Sequence, residues 1–480
     1  MTRIFLLPLL FVLSGAAFGQ KKAWTLQECV EYAIQHNIQV RQSANNVLSA
    51  RNTQDAAYAN LLPNLNLQGG YFWNFGLNID PITNLPSRTD RQTANLALTS
   101  SWVLFDGGRN WNQISRSRVD LAAAQYRLEG IRNDIGMNVA SQYLQVLLNK
   151  ELFRIAEEQV QQSSRQLERV KKMVDAGAAP EADLFTAESQ LARDEQNAIA
   201  TENNVQLSLL SLAQLLMLED PYAFDIVEPE MEVAPSGLLT MTPNQIYETA
   251  IGIQPKVRAA EYDLKSSEES YDMAVGTYLP TLSLNGQIAT NYSNQIPVFE
   301  GTTPTEIPIG YYYDNQGIPQ PVYTQTEVPF GREVKSFNNQ VTDNVNQFIG
   351  LSLSIPLFNR LQTRNQVRNA RIQIENNRLN LENTRNTLRQ DIQRAHADAT
   401  ASLKSYQAAQ KSVAASKANF ENAEQRRSVG AISQYDFDTA RNNYLRSQSE
   451  LLQAKYDYIF KIKVLEFYLT NELPTQIQQP

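Results

Sequence analysis

Two spacings of hydrophobic residues alternate along the chain, and the first has a period of 3.5 residues. Over residues 388–420 and 440–458, apolar and small side chains recur in steps of three and four. This repeat is typical of long helices that pack as left-handed coiled coils. No proline lies between positions 86 and 180 or between positions 356 and 474. The pattern predicts very long helices, and one over residues 110–176 would be about 100 Å long at 1.5 Å per residue.

The second spacing is an alternation of apolar and polar residues that precedes each long helical stretch. It predicts four β-strands of about ten residues, each with one apolar face. Strands that cross an outer membrane have this length and pattern, and so does a soluble sheet with one face in water. The alternating positions are Leu65, Leu67, Gly69, Tyr71 and Trp73; Leu96, Leu98, Ser100, Trp102 and Leu104; Leu282, Leu284, Gly286, Ile288, Thr290 and Tyr292; and Ile349, Leu351, Leu353, Ile355 and Leu357.

Four strands are too few to close a barrel, and open strand edges are not tolerated in lipid. The strands of a membrane barrel would therefore have to come from several copies of the chain. Three copies would supply twelve strands, enough to leave an open lumen. The spacing of the residues does not by itself give the number three.

The two halves of the chain resemble each other. Residues 25–69 align with residues 242–286 at a constant offset of 217, and from Leu98 onward the offset is 253. The change of offset places a 36-residue insertion in the second half. A gapless alignment over such a distance indicates rigid elements of fixed length.

The N-terminus has the layout of a secretory signal peptide. Arg3 precedes an apolar run over residues 4–13, and small residues follow over residues 14–19. The apolar run is too short for a membrane-spanning helix, so we expect cleavage after residue 19. Cys29 lies too far beyond the run to carry a lipid anchor.

Composition argues against several classes of function. Without residues 1–19 the chain has 41 basic and 50 acidic residues, and this net charge of −9 argues against nucleic-acid binding. The single cysteine excludes an internal disulfide, and the distant His36 and His396 form no metal-ligand pattern. We see no histidine beside a candidate nucleophile and no phosphate-binding glycine loop. Neither a metal, a cofactor nor an enzymatic activity is therefore expected.

The long helices taken alone fit a periplasmic coiled-coil adaptor or spacer equally well. Such a protein would not need four membrane-type strands. The strands therefore favour a membrane channel over this alternative.

Short segments at the ends of the predicted strands resemble those of a known family. The Leu-Pro entries at 62–63 and 279–280, the Trp-Val-Leu-Phe-Asp-Gly-Gly-Arg segment at 102–109 and the Ile-Pro-Leu-Phe-Asn segment at 355–359 occur in the order found in TolC-like outer-membrane efflux proteins. Each segment alone is of modest specificity, but the resemblance covers essentially the whole mature chain. The strand-to-helix junction residues are Pro63, Asp106, Gly107, Gly108, Arg109, Pro280 and Pro356.

The resemblance implies a mainly α-helical fold with membrane β-strands. A long coiled-coil α-helical barrel in the periplasm would continue into a twelve-stranded outer-membrane β-barrel, to which each chain of a homotrimer gives four strands within two internal repeats. The implied function is a passive exit duct of a tripartite efflux or secretion system. Its partners would be a periplasmic adaptor (membrane fusion protein), an inner-membrane pump of the RND or ABC type, and outer-membrane lipid. Nothing in the sequence indicates the cargo.

The same resemblance implies a division of the chain into two repeats joined by a linker. After a signal peptide (1–19), the first repeat (20–219) is expected to contain a β-hairpin (64–105) and a long helix pair (108–218). A linker in an equatorial region (220–243) leads to the second repeat (244–470), which is expected to contain a β-hairpin (281–358) and a long helix pair (360–469). The second hairpin includes a long extracellular loop (293–344), and a C-terminal tail (471–480) ends the chain.

Each pair of long helices is predicted to reverse at a glycine, because glycine readily adopts the positive φ that ends a helix. As structure alone these are tight turns between helices. In the family that the chain resembles, such turns meet a hairpin of the adaptor. The expected adaptor-contact tips are Asp175, Ala176, Gly177 and Ala178 in the first half, and Val429, Gly430 and Ala431 in the second.

An aspartate follows each of these glycines by six residues, at Asp183 and Asp436. By resemblance, Asp436 belongs to an acidic ring that narrows the periplasmic mouth, and such a ring favours cations. The alternative is that both aspartates only complement the dipole at the start of a helix.

The chain departs from the family pattern beside this ring. The second expected aspartate is replaced by Thr439, with Asp438 one place earlier, and the expected basic residue is replaced by Ile432. Other pairs would then hold the periplasmic gate, and Arg426 and Arg427 are the candidates.

Overall fold

The computed structural model describes residues 22–79, 86–88, 90–229, 237–295 and 297–473. The expected signal peptide lies outside these ranges, as do parts of the first hairpin tip, of the linker and of the tail. The helices are α1 (Leu26–His36), α2 (Ile38–Ala59), α3 (Arg109–Asp175), α4 (Glu181–Leu216), α5 (Pro243–Ile253), α6 (Pro255–Gly276), α7 (Phe337–Asp343), α8 (Gln362–Ser428) and α9 (Gln434–Thr470). The strands are β1 (Lys22–Trp24), β2 (Asn66–Asn74), β3 (Leu77–Ile79), β4 (Pro86–Arg88), β5 (Arg91–Phe105), β6 (Phe224–Ile226), β7 (Thr281–Ser293), β8 (Pro297–Tyr313), β9 (Pro319–Val334) and β10 (Asn346–Ser354).

Helices of equal length recur in the two halves of the chain. α1 and α5 have 11 residues each, α2 and α6 have 22, and α3 and α8 have 67. α4 and α9 have 36 and 37 residues. α3 begins and ends within one residue of the range that the sequence pattern gives. Among the helices in the described ranges, none is both long enough and apolar enough to cross a membrane.

The chain forms two compact units. The first contains the residues up to Asn52, Arg118–Ser266 and the residues from Gln373 onward. The second contains Thr53–Ser117 and Ser267–Ile372.

One core of the first unit forms where α1 packs against α3, α4 and the parallel pair β1–β6. α1 begins with a capping box, in which the Thr25 side chain accepts the N–H of Glu28 and the Glu28 side chain accepts the N–H of Thr25. The Tyr143 hydroxyl donates to the Val227 carbonyl at 2.6 Å and so fastens the chain beside β6 to α3. The buried residues of this core include Cys29, Val30, Ala33, Val139, Leu147, Leu212 and Leu216.

A second core in the same unit joins α5, α6, α8 and α9. α5 also begins with a capping box, formed by Thr242 and Gln245. On α8, the buried residues follow the predicted steps of three and four, with alanines where helices approach closely. The buried residues include Ile246, Ala250, Val257, Leu388, Ile392, Ala395, Ala399 and Leu465.

The second unit contains a four-stranded antiparallel sheet in the order β10–β7–β5–β2. Leu284 on β7 is paired with Leu351 on β10 and with Trp102 on β5. The outer strands β2 and β10 have no partner on their other side among the residues described. Leu67 on β2 and Ile349 on β10 are 68% and 78% exposed. The sheet therefore leaves both backbone edges and large apolar side chains uncovered.

Two of these strands differ from the prediction, β10 in its position and β5 in its length. β10 ends at Ser354 instead of Leu357, because Pro356 has no N–H to continue the hydrogen-bonded ladder. β5 has 15 residues, longer than the ten predicted from its alternation.

The segment 293–344, predicted as a long extracellular loop, contains the antiparallel pair β8–β9 and the short helix α7. The turn between the strands is built by Asp314, whose carboxylate accepts the N–H groups of Gln316 and Ile318, each at 2.9 Å. The many Thr, Val, Ile and Tyr residues of this segment favour strands. The two strands were not predicted, because the strand prediction relied on apolar alternation, which they lack.

The junction between β5 and α3 consists of a capping aspartate and two glycines. Asp106 is 7% exposed and accepts the N–H of Asn110 at 3.0 Å. Gly107 and Gly108 have φ angles of 75° and 81°, in the left-handed region that favours glycine. A Cβ at Gly107 would lie only 2.3 Å from the carbonyl oxygen of Gly276. Position 107 therefore requires glycine for two reasons, and position 108 for one.

The other junction residues flank the helices and strands. Arg109 is the first residue of α3 and donates from Nε to the Asp106 carbonyl at 2.9 Å. Pro63 lies shortly before β2, Pro280 directly precedes β7, and Pro356 follows β10.

Substitution by alanine should lower the stability of the protein by different amounts at Gly107 and Gly108. We expect Gly108→Ala to destabilise the protein by about 1–2 kcal/mol, the cost of a left-handed backbone for a residue with a Cβ. Gly107→Ala should cost about 1–3 kcal/mol more, because it also forces a methyl group against the Gly276 carbonyl. Heat and denaturant unfolding of the detergent-solubilised protein measures both. Equal losses would show that the close approach at Gly276 carries no energy.

Burial also predicts the reactivity of the only thiol. Desolvation, assisted by the negative charge of Glu28, raises the pKa of Cys29 to about 12. The folded protein at pH 8 should therefore react with iodoacetamide roughly 100-fold or more slowly than the unfolded protein, since the thiolate is the reactive form. Cys29→Ala/Ser164→Cys provides the control, because Ser164 is exposed on α3. Equal alkylation of Cys29 and of the control cysteine would contradict the buried position.

Candidate functional site

The ends of the long helices form two similar turns. α3 is followed by a turn at Gly177 and α8 by a turn at Gly430, with φ angles of 69° and 72°. The N–H of Ala178 donates to the Met173 carbonyl, and the N–H of Ala431 donates to the Arg426 carbonyl, each at 2.8 Å. These bonds close the last turn of each helix in the Schellman pattern. A Cβ added at either glycine would have no neighbouring atom within 4 Å in the described part of the chain, so the surface beside each glycine is free there.

The two aspartates at the predicted gate lie in the first turns of the helices that follow. Asp436 occupies the third position of α9, where its N–H donates to the Ser433 hydroxyl at 3.1 Å. The Ser433 hydroxyl donates in turn to the Asp436 carboxylate at 2.7 Å. Asp183 has the corresponding position in α4, but its cap residue is Pro180, which makes no side-chain hydrogen bond. Capping therefore accounts for Asp436 better than for Asp183.

The other gate candidates make local contacts. Asp438 accepts hydrogen bonds from the Gln434 side chain, at 3.0 Å to each carboxylate oxygen. Arg426 donates to the Ala431 carbonyl at 3.3 Å, across the turn of its own helix pair. Arg427 lies beside it in the last turn of α8. The structure pairs neither arginine with one of the three aspartates.

A small cavity brings two of the predicted aspartates together. It has a volume of about 20 Å³ and lies between α3, α4 and α9. Asp183 and Asp438 both line it, together with Gln190, Gln434 and Arg441. A volume of this size holds one water molecule. Asp436 does not line the cavity.

The sequence reasoning missed an ion pair beside this cavity. Arg441 on α9 donates from Nη2 to Oδ2 of Asp194 on α4 at 3.0 Å, and the two side chains are 4% and 12% exposed. A signal was present in the sequence. Asp194 continues the spacing of Ala187 and Gln190 along α4, so that a charged residue occupies a seam position where the pattern calls for a small or apolar one.

Comparison with known proteins gives the family. The sequence profile of the outer membrane efflux protein family matches residues 29–216 and 246–466. The outer membrane protein TolC of Vibrio cholerae is 22% identical over 437 residues, which cover 88% of this chain and 87% of that protein. The outer membrane efflux protein BepC of Brucella suis is 20% identical over 374 residues, which cover 78% of this chain and 71% of that protein.

Solved structures share the fold. The Campylobacter jejuni CmeC outer membrane channel superposes with a TM-score of 0.72 at 18% identity, over 92% of this chain and 85% of that chain. A CusC structure gives a TM-score of 0.70 at 17% identity, over 94% of this chain and 95% of that chain. The family profile covers most of both halves of the sequence, and the chain belongs to the outer membrane efflux protein family.

Proposed function

We propose that the chain is the subunit of a passive exit duct that crosses the outer membrane and extends into the periplasm. The observation that carries this proposal is the open sheet β10–β7–β5–β2. Among the residues described, no strand pairs with the outer edges of β2 and β10, and in lipid such edges are costly unless another strand pairs with them. Further copies of the same chain would supply those strands.

The two outer strands are suited to pair with each other across copies. β2 and β10 each have nine residues. Pairing β10 of one copy with β2 of the next would continue the sheet around a closed ring. Three copies would give the twelve strands of a homotrimer, with a lumen wide enough for passage.

Exposed side chains on these strands support a lipid environment. Leu351 and Leu353 on β10 are 67% and 62% exposed, and a soluble sheet would normally cover them. Trp73 and Phe72, near the end of β2, are also exposed, and aromatic side chains are favoured where a membrane meets water.

We propose further that the two halves of the chain are internal repeats within the domain boundaries given by the sequence, with residues 1–19 a cleaved signal peptide. The equal lengths of α1 and α5, of α2 and α6, and of α3 and α8 support this division. The hairpin β8–β9, in the expected extracellular segment 293–344, is longer than the pair β3–β4 between β2 and β5 in the first half, and this difference supports the 36-residue insertion in the second half.

The turns at the helix ends would meet the partners. In this proposal residues 175–178 and 429–431 contact a periplasmic adaptor, and an inner-membrane pump of the RND or ABC type supplies the energy. Asp183, Asp436 and Asp438 would give the periplasmic mouth a negative field in the trimer, and such a field favours cations. The local bonds of Arg426 make it a weaker candidate for holding this mouth closed than the sequence suggested.

Oligomeric state and shape test the duct directly. We expect electron microscopy of the detergent-solubilised protein to show a three-fold tube, with one end in detergent and a long helical barrel of about 100 Å. Native mass spectrometry should give three chains per particle. A thin monomeric or dimeric rod without detergent would contradict the duct and favour a periplasmic coiled-coil adaptor.

Two substitutions at the start of α9 distinguish the effect of negative charge at the mouth from the effect of helix capping. Asp436→Asn removes the charge, and we expect it to lower the single-channel conductance for cations in planar bilayers roughly twofold or more, because the negative field that attracts them to the mouth weakens. Ser433→Ala removes the cap but leaves the charge, so it should cost about 1 kcal/mol of stability and leave conductance unchanged. If both variants changed conductance equally, Asp436 would act only through the cap.

A further inference from the structure

A cavity of about 210 Å³ lies in the first unit, beside its second core. Its walls come from α3, from the connection between α5 and α6, from α8 and from the end of α9. Val257 and Leu388 belong both to the core and to the lining of the cavity. The volume is many times the roughly 10–15 Å³ that one water molecule needs, so a small organic molecule fits.

Part of the lining is apolar and aromatic. Pro255, Val257 and Leu388 are buried there. Phe467 and Tyr468, near the end of α9, add two aromatic rings. Such side chains cover the apolar part of a ligand, and the faces of aromatic rings attract cations.

Two buried amide side chains in the lining keep a free acceptor. Gln254 is 6% exposed, and its Nε2 donates to the Phe467 and Tyr468 carbonyls at 3.5 and 3.3 Å. Asn133 is 8% exposed, and its Nδ2 donates to Oδ1 of Asn471 at 2.9 Å. Neither amide oxygen accepts a hydrogen bond from the residues that the structure describes. A buried acceptor without a donor is costly, so both oxygens favour a ligand that donates.

The charges of the lining also favour a cation. Two lining residues are acidic, Asp134 and Asp391, and one is basic, Lys256. Nζ of Lys256 lies 2.9 Å from Oδ1 of Asp134, so these two charges offset each other. The partly buried Asp391 carboxylate has no hydrogen bond or ion pair within the described ranges. One negative charge without a partner therefore remains at the cavity.

Solvent reaches the cavity over a polar rim. The side chains of Lys256 and Asp134 are 66% and 55% exposed. Asn383 and Thr387 on α8 are exposed as well. A small polar molecule could enter over this rim without unfolding of the helices.

We infer that this cavity binds a small organic ammonium ion, with its charge beside Asp391 and its apolar part against Phe467 and Tyr468. Its N–H groups supply donors for the free oxygens of Gln254 and Asn133. An anion is repelled by the unpaired carboxylate, and an uncharged apolar molecule leaves the buried acceptors without a donor. The site goes beyond the exit duct, because it lies within one chain and binds whether or not the chain transports anything.

The cavity is separate from the aspartates proposed for the mouth. Asp436 lies in the first turn of α9 and Phe467 in its last. These positions are about 45 Å apart along the helix axis. At physiological ionic strength, exposed charges more than about 8 Å apart are largely screened from each other, so binding at the two places can be measured independently.

A titration followed by the nuclear magnetic resonance signals of the ligand tests the site, with benzylammonium as the probe. The full-length protein is used in a non-ionic detergent, which carries no competing charge. We expect a dissociation constant of about 1 mM, a usual affinity for so small a ligand. Benzyl alcohol has a similar shape without the charge and should bind roughly tenfold or more weakly.

Two results of this titration would overturn the inference. Equal binding of benzyl alcohol and benzylammonium would show that the site does not select a cation. No binding of benzylammonium would show that water or a neighbouring copy of the chain fills the cavity.

Asp391→Asn tests the role of the unpaired charge. It should weaken benzylammonium binding about tenfold or more, because the partly buried carboxylate attracts the ammonium. Asp398→Asn is the matched control. It removes the same charge about two turns further along α8, from a residue outside the cavity that lies 3.6 Å from Lys461, and should leave the affinity unchanged. Equal affinities of the two variants would overturn the role of Asp391.

Gly130→Leu fills the cavity without removing any of its polar groups. A Cβ at Gly130 would lie 3.6 Å from Cγ of Lys256 and 3.9 Å from Cβ of Pro255, which are ordinary contacts. Leucine also favours a helix more than glycine does, so the variant should fold. We expect it to weaken benzylammonium binding roughly tenfold or more by occupying the space.

Unchanged binding in folded Gly130→Leu would place the probe elsewhere and overturn the site. If native mass spectrometry contradicted the trimer while these affinities held, the duct would be wrong and the ammonium site would remain.

Discussion

The need of every backbone N–H and C=O group for a hydrogen-bond partner is the constraint on which this structure depends. A single chain satisfies it inside its helices and along the inner strands β5 and β7, but no strand in the described part of the chain pairs with the outer edges of β2 and β10. In water an open apolar edge promotes aggregation, and in lipid it is costly. Pairing with further copies of the chain, as we propose, would remove both problems.

The helices solve a different packing problem from the sheet. Long helices in contact need small side chains at the seam, and Ala395, Ala399 and Ser402 on α8 are buried accordingly. Seams made of small side chains bury little apolar area per residue, so they specify the relative position of the helices only weakly. Buried polar groups can specify it more strongly, because each has only a few acceptable partners. The buried ion pair of Asp194 on α4 with Arg441 on α9 supplies such specificity where these two helices meet.

Much of the fold follows from the sequence because its elements are long and periodic. The 67 residues of α3 contain no proline, so the range is predictable to within one residue. The hairpin β8–β9 was missed because its strands do not alternate between a buried and an exposed face. The end of β10 was misplaced because the apolar alternation continues past Ser354 while Pro356 stops the hydrogen bonds. The period of the apolar residues indicates which face of a helix or strand is buried. It does not show where a backbone N–H group is missing from the hydrogen-bonded ladder.

The candidate site was predictable only in part, and for a related reason. The turns at Gly177 and Gly430 could be predicted because each depends only on neighbouring residues of the chain. The aspartates could be predicted as site residues because each lies six residues after one of these glycines. Arg441 and Asp194 are 247 positions apart, and only the packing of α4 against α9 brings them together. A charged residue at a seam position shows that a partner must exist, but it does not identify that partner.

Asp436 illustrates how stability and function can be joined in one residue. The start of a helix favours an acidic side chain in its first turn, and in this fold the start of α9 lies directly after the turn that would form the mouth. An acid placed there for capping would bring negative charge to the opening in every copy. Asp183 has the same position in α4, where the helix dipole favours it in the same way, but the cap residue Pro180 makes no side-chain hydrogen bond. The dipole therefore accounts for an acidic side chain in both halves, and the hydrogen bonds with Ser433 are an additional feature of Asp436.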